Sequence, residues 1–248
     1  IGLVNIASQI NDLKSGFEEL GYECLTAIKG SDSKIITDDV DYDFSKMKKW
    51  SLGGKPKHRV WREAVKTCDV FIFIFSSFKP KYRDLAYLKK KGKTVISIFV
   101  GSDIRWGHAC RQEFRHYGLQ EPDFEHESDK SIKRLSKKLT ALRLAERHSD
   151  FIFSRLDQSQ LSLRPYYKWN MMVQCDKFPQ AGSQRRENPI VVHAPSRRSI
   201  KGTKHVLDVF NRLKDEGVDF TPKLIENMEH SEALKQYQEC DVLIDQLY

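Results

Sequence analysis

The chain has 248 residues, is 40% hydrophobic and carries a net charge of +8. That is enough apolar material for one large α/β domain or two smaller ones, which argues against disorder, and the charge points to anionic partners such as nucleotide phosphates, nucleic acid or an anionic membrane surface. The cysteines at 24, 68, 110, 175 and 240 are scattered without a CxxC pair, which argues against a disulfide framework or a zinc site and for a reducing compartment, and no run reaches the length of a membrane span.

Residues 1–6 read as the tail of a strand and its turn. Ser8 is the expected N-cap of a helix marked by Ile10, Leu13, Phe17 and Leu20 and stopped at Gly21. Residues 23–28 follow as a second strand, giving a βαβ opening. Residues 30–54 are polar. Asp38, Asp39, Asp41 and Asp43 fall there, and they read as a solvated loop rather than a metal site. Residues 57–68 predict a helix. The continuously apolar, β-branched and aromatic run 69–75 predicts a central parallel strand. A helix over 81–91 ends at Gly92, and 94–100 is another buried strand.

Gly101, Ser102, Asp103 and Arg105 form a polar turn directly after that strand. It lies at the carboxyl end of the sheet, where open α/β sheets bind ligands. His108 follows in a stretch that reads as loop. Residues 118–127 are a polar link. Residues 131–147 predict a long basic helix with Ile132, Leu135, Leu139, Leu142 and Leu144 as its apolar stripe. Its cationic face lacks interleaved aromatics and reads as solvated, so no nucleic acid is expected there. Residues 150–154 are one more strand, 157–163 a turn or short helix, and 180–188 a linker without apolar periodicity.

Residues 188–204 organise the remainder. Ile190, Val191 and Val192 predict a short buried strand after Pro189. A loop with Pro195, Ser196, Arg197, Arg198, Lys201 and Gly202 leads to Thr203, where helical spacing begins with Val206, Leu207, Val209, Phe210 and Leu213. A strand, a cationic loop and a helix start make an anion site: backbone N–H groups and the helix dipole favour phosphate, and Arg and Lys add charge-assisted bonds. The pattern is neither a P-loop nor GxGxxG, and a solvated basic loop is the plain alternative.

The run His193-Ala-Pro-Ser-Arg-Arg-Ser-Ile-Lys-Gly-Thr-Lys204 resembles the phosphate loop that opens the second domain of GT-B glycosyltransferases. The order that follows is similar too: a strand over 219–227, a helix over 231–240 and a strand over 241–245. The resemblance implies an α/β chain of two Rossmann-like domains. Residues 1–180 would form the acceptor-side domain, 181–188 the linker, and 189–248 the first half of the nucleotide-sugar domain. It implies a retaining, metal-independent glycosyltransferase with no cofactor beyond its donor, a nucleotide-diphosphate sugar. Ser196, Arg197, Arg198, Lys201, Gly202 and Thr203 would hold the diphosphate. Gly2, Asn5, Gly101, Ser102 and Arg105 would face a saccharide or lipid-linked acceptor, with Asp103 and His108 as catalytic candidates.

Residues 100–103 depart from the related Gly-Ser-Asp loop, because Val100 stands where a His usually precedes the Gly. A cytoplasmic place is expected, with peripheral contact to an anionic membrane allowed. Two other readings stay open: a non-catalytic basic α/β module that binds nucleotide or nucleic acid, and a degenerate transferase domain kept for partner binding.

Overall fold

The computed structural model describes residues 8–28, 40–47, 56–119, 121, 130–155, 159–177 and 186–245. The expected first strand and the candidates Gly2 and Asn5 lie outside these residues, as do Asp38, Asp39 and residues 180–185 of the expected linker. The described chain is mixed α/β, and its strand pairs are parallel. It divides into two compact units. The first takes its described residues from 8–110 and 130–173, the second from 111–121 and 174–245.

In the first unit, β3 (Val70–Ile74), β4 (Thr94–Phe99), β5 (Phe151–Ser154) and β6 (Tyr167–Lys168) form a sheet in chain order. Side chains alternate across a strand, and the sequence uses that alternation to fill both faces. Phe71, Phe73, Val95, Phe99 and Ile152 enter one core with Leu142 and Ala145 of α5 (Ile132–His148). Ile74 and Ile98 enter the other with Ile10 of α1 (Gln9–Glu19), and Ile72, Ile96 and Phe153 pack against it. Ser131 caps α5 by accepting a hydrogen bond from the Arg134 amide. Leu135, Leu139, Leu142 and Ala145 recur at the spacing of one helix face, and all four meet the core.

Several expectations change here. Ser8 precedes α1 but sits at φ 60° and makes no side-chain cap. Of residues 23–28, only Ala27–Ile28 pair as β1, against β2 (Tyr42–Asp43) inside the expected polar loop. Asp41 makes that pairing possible: its carboxylate accepts from the Thr26 amide and hydroxyl, each at 2.7 Å, and from Lys14. The helix expected from residue 81 starts later, as α3 (Leu85–Lys90). Lys81 and Tyr82 are held at positive φ, and buried Asp84 accepts from Ser77 Oγ and the Lys79 amide. The helix expected over 57–68 is α2 (Pro56–Thr67).

The second unit has a sheet of order β8–β7–β9, with β7 (Ile190–His193) central, β8 (Thr221–Leu224) on one flank and β9 (Val242–Ile244) on the other. α6 (Arg198–Lys201) and α7 (Thr203–Asp215) follow β7, and α8 (His230–Glu239) precedes β9. Val206 and Phe210 of α7 pack with Phe220 in one core. Val192, Ile225 and Ala233 make the other. Asp241 closes the lower edge of the sheet, accepting from the Ile190 amide at 2.8 Å and pairing with Arg186. The described end of the expected linker is therefore tied to this sheet. Among the described residues, no helix is long and apolar enough to cross a membrane.

Candidate functional site

The second-unit site grows from the end of β7. His193 is its last residue and is fully buried. Its Nδ1 lies 2.8 Å from the Ile244 carbonyl of β9, and its Nε2 lies 2.9 Å from Thr203 Oγ1 at the start of α7. A carbonyl only accepts, so Nδ1 donates to it, and in the neutral ring Nε2 then accepts from the threonine hydroxyl. One side chain thus fixes a neighbouring strand and the helix that follows. Gly202 makes the corner between α6 and α7 at φ 67°, a conformation that glycine adopts without steric cost. This geometry sets the first turn of α7 against the carboxyl end of β7.

The strand order reverses at β7, because the chain passes to β8 on one side and then to β9 on the other. Open parallel sheets hold ligands outside the carboxyl ends of strands at such a reversal. Arg198 and Lys201 sit three residues apart on α6 and reach in different directions. Arg198 donates twice to Glu226, just beyond β8, with Nε–Oε1 at 2.8 Å and Nη2–Oε2 at 2.5 Å. Lys201 pairs with Asp245, just beyond β9, at 2.5 Å. The hydrogen bonds from Arg198 hold the Glu226 carboxyl below the usual range. Ser196, Arg197 and Lys204 are exposed, and Arg197 and Lys204 make no ion pair among the described residues. Clustered cations therefore do not by themselves require a bound anion: the chain neutralises two of the four with its own carboxylates.

In the first unit, the loop after β4 folds around Asp103. Its carboxylate accepts from the Gly101 amide at 2.8 Å and the Val100 amide at 3.2 Å. Burial pushes the Asp103 carboxyl up to about 6, against the opposing pull of those two N–H groups and of Lys138. Lys138 of α5 donates to the Ser102 carbonyl at 2.6 Å and the Arg105 carbonyl at 3.0 Å. A residue expected on a solvated face therefore pins this loop. The Tyr82 phenol is raised well above its usual value by burial, with the Asp103 and Asp84 charges adding to it.

His108 corrects an expectation. It lies in the first turn of α4 (Gly107–His116), exposed, with its ring 5.5 Å from that of Trp106. Trp106-Gly-His reads as loop because glycine weakens the helical signal.

Arg198, Lys201, Gly202 and Thr203 lie together at the corner between α6 and α7, and the sequence did not single out their partners His193, Glu226 and Asp245, nor Lys138 in the first unit. A signal for two of these was present: Glu226 and Asp245 each follow the last apolar residue of a strand run, at the carboxyl edge. Among the described residues, no group of three or more His, Cys, Asp or Glu side chains is placed to hold a metal ion. No family model matches the chain, and no curated protein or solved structure matches it.

Proposed function

We propose that this chain is a nucleotide-sugar glycosyltransferase of the GT-B kind, with residues 189–248 belonging to its donor-binding Rossmann-like domain. The observation that carries the reading is the set of four cations between Arg197 and Lys204, at the carboxyl end of the central strand where the strand order reverses. The donor diphosphate takes Lys201, Arg198 and Arg197 as counter-charges and the first turn of α7, from Thr203, as the source of neutral donors. As the glycosidic bond breaks, negative charge builds on the leaving diphosphate, and preorganised cations lower the barrier by stabilising it. The acceptor is assigned to the Gly101–Ser102–Arg105 loop, with Asp103 and His108 as the groups beside it able to hold a proton.

Calorimetry and thermal melting of the full chain against a panel of nucleoside diphosphates and nucleotide sugars test this. Saturable binding with a raised melting temperature is expected for at least one. A flat response to the whole panel would overturn the reading.

The competing reading, a basic module without catalysis, draws support from the net charge of +8. Steeply salt-dependent binding to DNA, with no response to nucleotide sugars, would favour it.

A further inference from the structure

We infer that Glu226 and Asp245 compete with the ligand's phosphates for Arg198 and Lys201, and that they hold down the site's affinity for a diphosphate more than for a single phosphate; this rests on the proposed anion site at Arg198 and Lys201.

The two carboxylates stand on opposite flanks of β7, one after β8 and one after β9. The two cations come from one short helix and are drawn apart towards those flanks. The Arg198–Glu226 pair is two-pronged, and in the Lys201–Asp245 pair Nζ donates to Oδ1. Each pair has one member largely in water: the Arg198 side chain is 59% exposed and that of Asp245 69%. Solvent-facing ion pairs of this kind are weak and cheaply exchanged.

An incoming anion therefore meets occupied cations rather than free ones. A single phosphate can replace one carboxylate, and the gain is small, because one ion pair is traded for another while the displaced carboxylate stays nearby and repels it. A diphosphate can replace both. Its second exchange is intramolecular and proceeds at a high effective concentration. Both carboxylates then swing towards solvent, which the exposure of Asp245 already permits. The carboxylates lower affinity for every anion and penalise most the one that has to displace both, which tempers the avidity of a diphosphate.

The test is calorimetry of inorganic pyrophosphate and inorganic phosphate binding to the full chain, to Glu226→Gln and Asp245→Asn, and to the double variant. Both substitutions keep side-chain size and remove charge. Removing a competitor should tighten pyrophosphate binding by about two- to fivefold in each single variant, and the ratio of pyrophosphate to phosphate affinity should rise in the double variant. Pyrophosphate binding that stays unchanged or weakens in both single variants would overturn the exchange, and would mean that the carboxylates position the cations instead. Absence of pyrophosphate binding in the wild type and in every variant would overturn the anion site itself, and the inference with it. Melting curves of the variants that overlay the wild type establish that the changes in affinity do not come from unfolding.

Discussion

His193 and Thr203 hold one another across the turn between β7 and α7: the ring Nε2 lies 2.9 Å from the threonine hydroxyl, and both residues are buried. The other ring nitrogen is spent on the Ile244 carbonyl of β9. This places the burden of the second unit's geometry on a histidine that the sequence presents merely as the end of a strand. Thr203→Val keeps the shape and deletes the donor, leaving a buried ring nitrogen unsatisfied. It is expected to lower stability by about 1–3 kcal/mol. Thr203→Ser keeps the hydroxyl and should cost about 1 kcal/mol or less for the lost methyl. Urea denaturation of the two variants checks the order, and equal losses would show that the bond contributes little.

Asp103 predicts a pH dependence with a definite sign. Its carboxyl rises from an ordinary 3.8 to about 6 in the folded chain. The native state therefore holds this proton more tightly than the unfolded state does. The associated stability is fully present below pH 4 and is lost as pH rises through 6, a swing of about 3 kcal/mol for two pK steps. Asp103→Asn cannot titrate. The difference between the melting temperatures of wild type and variant should slope across pH 4–6.5 and level off on either side. A difference that stays constant over that range would refute the raised value.

Lys138 predicts a local effect. Its ammonium ties two carbonyls of the loop after β4 to α5. Lys138→Met retains the aliphatic stem and removes the donor. Hydrogen exchange at the Ile104 and Arg105 amides, both bonded to the Gly101 carbonyl, should accelerate several-fold, while the strand amides of β4 change little. Equal acceleration in loop and strand would mean that Lys138 supports the whole unit rather than this loop.

The parts of the fold that were legible in the sequence were those written locally. β3 is a continuous apolar run and β4 is rich in β-branched and apolar residues, and α5 and α7 carry apolar residues at helical spacing. β2 was not legible, because Tyr42 and Asp43 pair through backbone groups and depend on Asp41, which Thr26 and Lys14 hold from another part of the chain. The candidate site divides in the same way. The cations of residues 197–204 are contiguous and stand out. Their partners Glu226 and Asp245 lie 28 and 44 residues away, and only the parallel order β8–β7–β9 brings them to the same edge. Charge density alone therefore suggested a missing anion where the folded chain supplies two of its own.

The last prediction separates the four cations by what they do for binding and for stability. Lys201 is partly buried at the point where the strand order reverses, and Arg198 shares its short helix. Arg197 is exposed at the end of the loop and Lys204 is exposed on α7, neither in an ion pair among the described residues. Solvent-facing ion pairs contribute little to folding, so Arg198→Ala should leave the melting temperature nearly unchanged. On the proposed reading, the same substitution removes a charge-assisted contact to phosphate, as does Lys201→Ala. Each should weaken nucleoside diphosphate binding by about ten- to a hundredfold. Arg197→Ala should follow with a smaller loss, and Lys204→Ala should change affinity least, since it begins the run along the helix away from the corner at Gly202. Calorimetry of all four variants on the full chain supplies the ranking. Equal, small losses at every position would indicate diffuse attraction by net charge and not a cradle. Losses confined to Arg198 and Lys201 would place the diphosphate over α6, between the ends of β8 and β9.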